Sequence, residues 1–274
     1  MASNPQTVEL KVTLVQMDVA TSRPEENLAK AEGWLQEASS AGSQLVCFPE
    51  MWTTGFDWSY NAEHAAEHQA CIDRVSALAR RYTVWVAGSM LALDEGKRVS
   101  NTLFVFDPMG NRAAVYRKTH LFTLFGEDRH MAPGSALTLL AAPWGKTGLS
   151  ICYDVRFPEL FRSYVLQGAR LQLLPAAFPH PRLEHWRVLV RARAIENQFF
   201  MIAPNQVGTE QTAGGEVRYF GNSMVVDPWG EILALGEESY EGLLHATLDL
   251  DKVDEVRSHL TALQDRRPDL YRLD

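Results

Sequence analysis

Residues 148–159 read Gly-Leu-Ser-Ile-Cys-Tyr-Asp-Val-Arg-Phe-Pro-Glu, and they predict a strand, a turn and the start of a helix. Apolar residues lead up to Cys152, and Pro158 suits the first position of a helix. A thiol at such an elbow can be presented to a substrate beside the backbone N–H of the next residue, as a nucleophile requires. The same pattern also fits a small cysteine buried in the core.

The sequence on both sides of this segment alternates between predicted strands and predicted helices. Strands are predicted at 8–16, 44–49, 83–93, 147–151, 170–174 and 199–203, and helices at 25–40, 60–82, 158–168 and 183–198. Each half of the chain also contains an Asp-Pro-x-Gly turn between apolar stretches, at 107–110 and 227–230, which predicts a β-hairpin. This order favours an α/β fold in which one sheet packs against another, with helices outside.

Two further segments place an ionisable residue at the end of a predicted strand. Glu50 follows an apolar strand and Pro49, and Lys118 lies in Tyr-Arg-Lys-Thr-His-Leu-Phe at the end of the first hairpin. Loops held by strands often contain catalytic groups. A lone Glu or Lys in a loop is more often a solvated surface charge. The spacing by itself leaves both interpretations open.

The composition narrows the class of protein. The chain has 274 residues, of which 46% are hydrophobic and 22% charged, and its net charge is −8 from 34 acidic and 26 basic residues. This balance offers no electrostatic footprint for nucleic acid or for an anionic membrane. No apolar run reaches the ~18 residues that a membrane helix needs. We expect neither a nucleic-acid partner nor a membrane.

The three cysteines, Cys47, Cys71 and Cys152, show no close pairing and no zinc-binding spacing. This usage argues for a reducing compartment and against a structural metal. Residues 1–6 are polar and lack the apolar region of a signal peptide. We therefore expect a cytoplasmic protein.

The three segments around Glu50, Lys118 and Cys152 resemble the signature regions of the nitrilase (carbon–nitrogen hydrolase) superfamily, and they occur in that superfamily's order. The similarity continues through residues 192–198 and the hairpin at 227–230, so it covers essentially the whole chain. The resemblance implies a four-layer α-β-β-α sandwich. It also implies a single carbon–nitrogen hydrolase domain over 1–274, with a core at about 8–250.

The resemblance implies a Glu–Lys–Cys triad, here Glu50, Lys118 and Cys152. It also implies a second glutamate, for which Glu127 is the candidate, although His-Met stands where the superfamily usually has an aromatic pair before the Pro-Gly at 133–134. Glu50 would take the thiol proton, and Lys118 and the backbone N–H of Tyr153 would stabilise the negative charge on the carbonyl oxygen. No metal or organic cofactor is expected.

His120 lies two residues after Lys118 and could act as a partner of the cysteine, as in a papain-like enzyme. That interpretation would also require a local Cys-Gly-Ser-Cys type of signature, which the sequence lacks. We expect His120 to pack or hydrogen-bond beside the lysine.

Within the superfamily, residues 49–56 and 181–187 look most like bacterial ω-amidases, which hydrolyse the terminal amide of 2-oxoglutaramate or 2-oxosuccinamate. Such a substrate carries a carboxylate at its far end, so a cation is expected in the pocket. Arg156 is the first candidate and Arg182 the second, although Arg156 could equally pair internally with Glu159. The candidates for the pocket wall, each of which could also be ordinary core, are Phe178, Trp52 and Phe56.

Other functions use the same triad. Deaminated-glutathione amidases, carbamoyl amidohydrolases and nitrilases remain as enzymatic alternatives, although the elbow typical of carbamoylputrescine hydrolases is absent. A non-catalytic binding or assembly protein on the same fold is the alternative outside enzymes, and the complete triad argues against it. The superfamily implies a homodimer or a larger homo-oligomer. Candidates for these contacts are the apolar stretch at 243–250, the segment 251–274 and Tyr271, although the apolar stretch could also belong to the chain's own core.

Overall fold

The computed structural model describes residues 8–93, 96, 98–212 and 215–271, which form two six-stranded sheets and one separate hairpin. The strands are β1 (Glu9–Gln16), β2 (Leu45–Cys47), β3 (Trp85–Leu93), β4 (Val99–Phe106), β5 (Arg112–Arg117), β6 (Leu139–Ala142), β7 (Gly145–Leu149), β8 (Leu171–Leu173), β9 (Phe200–Ala203), β10 (Val207–Thr212), β11 (Gly215–Phe220), β12 (Met224–Val226), β13 (Ile232–Leu235) and β14 (Gly242–Asp249). The helices are α1 (Pro24–Ser40), α2 (Trp58–Glu63), α3 (His68–Tyr82), α4 (Glu127–His130), α5 (Pro158–Leu166), α6 (Leu183–Asn197) and α7 (Lys252–His259). The predictions for residues 1–6 and 272–274 lie outside the described residues.

The two sheets have matching topologies. One has the strand order β14-β1-β2-β3-β4-β5 and the other β13-β12-β9-β8-β7-β6. In the first, β1, β2 and β3 are parallel and an antiparallel hairpin of β4 and β5 follows. In the second, β7, β8 and β9 are parallel and β12 and β13 form the hairpin. Because the carboxyl ends of parallel strands meet at one edge, groups that follow these strands can converge.

Both predicted hairpins are present, and their turns are built alike. Asp107 Oδ1 accepts hydrogen bonds from the N–H groups of residues 109 and 111, at 2.8 and 2.9 Å. Asp227 Oδ1 does the same for residues 229 and 231. Gly110 and Gly230 have φ values of 82° and 87°, a left-handed conformation that glycine adopts without steric cost.

Strand alternation separates the core into layers. On β4, Leu103 and Val105 belong to the cluster that lies between the two sheets, whereas Phe104 and Phe106 face a second cluster that includes residues of α1 and α3. Side chains of α5 and α6 join the first cluster and cover the other sheet. The predicted four-layer α-β-β-α sandwich is thus confirmed.

The predicted helix over 60–82 is wrong in one respect, because it is two helices with a break at 64–67. Asp57 caps α2 by accepting from the Tyr60 N–H at 3.1 Å. The ring Nε2 of the buried His68 lies 3.1 Å from the Asn61 carbonyl oxygen, so this side chain meets a carbonyl near the end of α2. The region 58–67 also buries few apolar side chains, and helix without an apolar face gains little from packing.

The C-terminal apolar stretch belongs to the chain's own core. It forms β14, which pairs antiparallel with β1 along its whole length, and then α7. Leu248, Leu250 and Val253 are buried in the cluster between the sheets. Tyr271 is 55% exposed, and its contact with a second copy of the chain stays a prediction.

Candidate active site

The Cys152 elbow is built as the sequence indicated. After β7 the chain enters a 3₁₀ turn over Cys152–Arg156, and Cys152 itself has a φ of 44°. A non-glycine residue in this left-handed region is uncommon and often marks a functional site. The Cys152 N–H donates to the Pro175 carbonyl at 2.9 Å, and the Ile151 N–H donates to Asp154 Oδ2 at 2.8 Å. These bonds hold the turn in its strained conformation.

Glu50, Lys118 and Glu127 form a buried ionic cluster beside the cysteine. Lys118 Nζ donates to Glu50 Oε1 at 2.7 Å and to the two oxygens of Glu127 at 3.0 and 2.7 Å. All three side chains are almost completely shielded from solvent. Cys152 lines the same cavity. The structure therefore brings together the four residues that the sequence singled out from three distant segments.

Asn101 is a member of this cluster that sequence reasoning missed. Its Nδ2 donates to Glu50 Oε1 at 2.8 Å and to Glu127 Oε1 at 3.1 Å, so it bridges the two carboxylates. The second oxygen of Glu50 accepts from the Ala177 N–H at 3.1 Å. An asparagine inside the predicted hairpin strand before the Asp-Pro turn at 107–110 was the signal that could have identified it, because a buried amide needs polar partners.

Burial and charge set the protonation of the cluster. Burial raises the pKa of Glu50, and Lys118 opposes this shift. Burial also raises the pKa of Cys152, the charge of Glu50 adds to the increase, and Lys118 opposes it. For Lys118, burial alone would lower the pKa, but Glu127 and Glu50 outweigh it and the pKa is raised. The resting site thus holds a neutral thiol and a cationic lysine, and ionisation of the thiol requires a neighbouring base.

The backbone N–H of Tyr153 is available as a donor. Within the part of the chain that the structure describes, no backbone or side-chain acceptor takes this N–H. The Tyr153 ring packs against Phe122 and Phe157, with centroid distances of 4.8 and 5.3 Å. An N–H group that directly follows the nucleophile and has no acceptor can stabilise an oxyanion.

His120 supports the elbow and does not face the thiol as a base. Its Nδ1 lies 2.7 Å from Asp154 Oδ1, and its ring stacks on Phe157 at 3.7 Å. Asp154 also accepts from the Tyr116 hydroxyl at 2.8 Å. This placement agrees with the expected packing and hydrogen-bonding role of His120.

The cluster opens into a cavity with about 410 Å³ of space, part of which is open solvent. Its floor is ionic, and its walls are aromatic with two arginines. The lining residues are Glu50, Phe56, Trp58, Lys118, Phe122, Phe125, Glu127, Cys152, Tyr153, Arg156, Ala177, Phe178, Pro179 and Arg182. Such a mainly apolar pocket with a few polar groups is typical of a site for a small molecule.

Arg156 and Arg182 bring positive charge to one wall. The Arg156 guanidinium lies 5.4 Å from the centroid of Phe178 and 3.3 Å from Nδ1 of His185. Arg182 lies 5.5 Å from the centroid of Phe122. Among the ion pairs of the described residues, neither arginine has a carboxylate partner, and the alternative pair of Arg156 with Glu159 does not form. Both cations line the cavity without a carboxylate partner, so an anionic ligand there can pair with them.

The structure corrects the placement of Trp52. Phe178 and Phe56 line the cavity as expected, but Trp52 is 1% exposed and lies in the core between the first sheet and its helices. It stacks on Phe48 at 4.5 Å and packs closely on Gly88. Its position beyond the strand end resembled that of a wall residue, but the left-handed Met51 precedes it in a turn. Trp58, Phe122 and Phe125 also line the cavity, and sequence reasoning missed them.

The described residues contain neither a metal-binding cluster nor a membrane-spanning helix. Over residues 8–93, 96, 98–212 and 215–271, no group of three or more His, Cys, Asp or Glu side chains is arranged to hold a metal ion. Over the same residues, no helix has both the length and the apolar character to cross a membrane.

A cysteine at a strained elbow, beside a buried glutamate and lysine in this sandwich, defines a cysteine-dependent hydrolase. The family described as carbon-nitrogen hydrolase matches residues 11–258, and the chain belongs to this family. It is an enzyme that hydrolyses carbon–nitrogen bonds other than peptide bonds.

Relatives of known activity and structure agree with this assignment. The chain is 35% identical to the 2-oxoglutaramate amidase of Bacillus subtilis (strain 168), over 95% of this chain and 98% of the relative. A carbon-nitrogen hydrolase from Helicobacter pylori G27 superposes with a TM-score of 0.89 at 26% identity, covering 96% and 97% of the two chains. A mutant amidase from Nesterenkonia sp. AN1, with the product of Michael addition of acrylamide at its active-site cysteine, superposes with a TM-score of 0.84 at 28% identity, covering 95% and 98%.

Proposed function

We propose that the protein is an ω-amidase that hydrolyses the terminal amide of 2-oxoglutaramate or 2-oxosuccinamate to ammonia and the dicarboxylic keto acid. The observation that carries this proposal is a cavity with a cysteine and its ionic cluster on the floor and two unpaired arginines, Arg156 and Arg182, on the wall. Such a cavity matches a short molecule with an amide at one end and a carboxylate at the other. Similarity to the amidase from Bacillus subtilis supports the same substrate class.

In the first half of the reaction, Glu50 takes the proton of the Cys152 thiol and the sulfur attacks the amide carbon. The carbon–sulfur bond forms as the carbonyl π pair moves to the oxygen. Lys118 Nζ and the Tyr153 N–H stabilise that oxygen, and one well-placed donor can contribute ~3 kcal/mol. When the tetrahedral intermediate collapses, the carbon–nitrogen bond breaks, Glu50 protonates the nitrogen, and ammonia leaves a thioester.

In the second half, a water molecule attacks the thioester. Glu50 takes a proton from the water as the new carbon–oxygen bond forms, and the same two donors stabilise the oxyanion. Collapse breaks the carbon–sulfur bond, and Glu50 returns its proton to the sulfur. The products are the carboxylic acid and the free thiol. Glu127 keeps Lys118 in place through two hydrogen bonds.

The test of the proposal is ammonia release from a panel of substrates. We expect rapid release from 2-oxoglutaramate and slow release from an aliphatic amide of the same length without the carboxylate. Arg156→Ala and Arg182→Ala should raise KM for the keto-acid amide about tenfold or more, because a hydrogen bond to a charged group is worth about 1.5–3 kcal/mol. The same variants should leave KM for the neutral amide nearly unchanged.

Other outcomes would assign a different function. A preference for deaminated glutathione, a carbamoyl amide or a nitrile would agree with the cysteine mechanism but would contradict the proposed keto-acid amide substrate. Ammonia release from none of these compounds, with an intact and reactive Cys152, would favour a non-catalytic binding protein.

We also propose a cytoplasmic, homo-oligomeric protein. The free thiols Cys47, Cys71 and Cys152 suit a reducing compartment. Val188 and Ile195 lie seven residues apart on α6 and are 62% and 46% exposed, and such an apolar helix face suits contact with a second copy. Cell fractionation tests the location, and a solution mass measurement tests the assembly.

A further inference from the structure

A second space adjoins the reaction cavity. This outer groove has about 1320 Å³ of space, part of which is open solvent, and its lining residues include Ser59, Leu124, Arg129, His130 and Val217. The cavity and the outer groove have three lining residues in common, which are Phe56, Trp58 and Phe125. These three aromatic residues therefore form the partition between the two spaces.

Trp58 is the member of the partition that is fixed from several directions. Its indole Nε1 donates to the Phe125 carbonyl oxygen at 3.2 Å. Its ring stacks on His130 with a centroid distance of 5.1 Å and an interplanar angle of 7°, and it meets the edge of Phe56 at 5.8 Å. The indole thus links the segment after Glu50 to the loop before α4, and closes the space between them.

The arginines line the reaction cavity alone, whereas the partition residues line both spaces. Arg156, Phe178 and Arg182 line the cavity but not the outer groove. If the arginines hold the substrate carboxylate, the amide nitrogen on the other side of the reacting carbon faces away from them. The proposal places this nitrogen, which Glu50 protonates, on the side of the aromatic partition.

We propose that Trp58 is a specificity-determining residue that closes the reaction cavity against the outer groove and so restricts the leaving group to ammonia. The inference rests on the orientation of the substrate in the proposed function. Without the indole, the cavity and the outer groove become continuous. A substituent on the amide nitrogen, such as a benzyl group or an amino acid, then has space to occupy.

The alkylation of Cys152 tests the partition without requiring turnover. Iodoacetamide and N-benzyl iodoacetamide react alike, forming a carbon–sulfur bond as iodide leaves and the thiol proton passes to a base, but they differ in size. The rate ratio of the larger to the smaller reagent should rise about tenfold or more in Trp58→Ala, because steric discrimination in a pocket is worth one to two orders of magnitude. Peptide mass spectrometry separates Cys152 from the half-buried Cys71.

Two further variants serve as controls. Trp58→Phe keeps an aromatic ring at the partition and should give a smaller increase than Trp58→Ala. Trp229→Ala removes a tryptophan in the turn at 227–230, which lines neither space, and should leave the ratio unchanged. Labelling of the buried Cys47 would reveal unfolding of Trp58→Ala, in which case Trp58→Phe and Trp58→Leu decide the question.

Turnover tests the orientation. Trp58→Ala should hydrolyse the terminal N-benzyl amide of 2-oxoglutaric acid, with release of benzylamine instead of ammonia, faster than the wild type does. Its rate on a primary amide with a longer acid chain should not increase. An unchanged alkylation ratio, or a gain only on the longer acid chain, overturns the proposal. If the wild-type protein is inactive on 2-oxoglutaramate, the proposed function fails, while the alkylation ratio still tests the partition.

Discussion

The residues around Cys152 carry more negative than positive charge. Two carboxylates, Glu50 and Glu127, face one cation, Lys118, in a space that solvent hardly reaches. A thiolate would add a further negative charge to this set, and both burial and Glu50 oppose it. Proton transfer to Glu50 removes this conflict, because the negative charge then moves to the sulfur without adding to the total. The geometry therefore favours general-base activation over a preformed thiolate.

The first prediction concerns the pH dependence of the reaction. Because burial raises the pKa of Glu50 and the ionised form is the base, activity should fall with decreasing pH through a pKa above that of an ordinary glutamate, about 4.3. The measurement is kcat/KM for 2-oxoglutaramate against pH. Glu50→Gln, which cannot take a proton, should lower kcat by about 10²-fold or more at every pH. An acid limb at or below the ordinary value would contradict the role of Glu50.

The second prediction concerns Asn101 as a positioning residue. Asn101→Leu removes the donor to the ionised form of Glu50, so the pKa of Glu50 should rise and the acid limb of kcat/KM should move to higher pH. KM should change less than kcat, because Asn101 does not line the cavity. Asn111→Leu, in the exposed turn of the first hairpin, is the matched control. An acid limb that stays in place in Asn101→Leu would show that its bonds are structural only.

The sequence predicted the reactive residues better than the residues that position them. Cys152, Glu50 and Lys118 each follow a strand, and the resemblance of their three segments to the superfamily's signature regions grouped them. Asn101 bonds to carboxylates that come from other segments, and its role depends on the register of β4 beside Lys118, which no local pattern contains. Trp52 was misplaced for a related reason. Its position just after a strand does not determine whether its side chain points to the cavity or to the core.

At the scale of elements, the elbow depends on one buried carboxylate. Asp154 accepts hydrogen bonds from the Ile151 N–H, the Tyr116 hydroxyl and the backbone N–H and ring of His120. These donors come from the elbow and from the segment that carries Lys118. Asp154 thereby ties the nucleophile's turn to the lysine's strand end.

The third prediction follows from this link. Asp154→Ala leaves several buried donors without an acceptor, and each unsatisfied group costs about 1–3 kcal/mol. The free energy of unfolding, measured with urea, should fall by about 3 kcal/mol or more, and alkylation of Cys152 should slow. Asp107→Ala, in the solvent-exposed turn of the first hairpin, should cost less. Equal losses in the two variants would contradict the special role of Asp154.

Elements with a strong local pattern were predicted well, and those defined by long-range contacts were not. The helix at 24–40 and both Asp-Pro-x-Gly hairpins have apolar spacing or turn residues that determine them locally. Strand β14 forms by pairing with β1 more than 200 residues earlier. The break at 64–67 was also missed, and there His68 contacts Asn61, seven residues before it. The hairpin of β10 and β11 was likewise missed.

At the scale of the whole molecule, the two matching sheets explain why the site lies where it does. Parallel strands of both sheets end near the same region, so Glu50 and Lys118 come from one sheet and Cys152 from the other. Cys152 and Val155 of the elbow belong to the apolar cluster that packs between the two sheets. Repetition of the strand–helix order in the sequence was enough to predict this architecture.

The fourth prediction concerns assembly. Replacement of the exposed apolar pair on α6, in the double variant Val188→Glu and Ile195→Glu, should convert a homo-oligomer to a smaller species, because like charges would oppose contact between two copies. Light scattering after size-exclusion chromatography measures the mass. The same mass in the variant and the wild type would exclude this face from the interface.

The role of Cys152 as the nucleophile is tested most directly by comparing two cysteine variants. The measurement is ammonia release from 2-oxoglutaramate by Cys152→Ala and by Cys71→Ala, with the wild type beside them. We expect Cys152→Ala to lose activity by about 10⁴-fold or more, since covalent catalysis cannot proceed without the thiol, and Cys71→Ala to retain it. Comparable activity in Cys152→Ala and the wild type would contradict the mechanism at its first step.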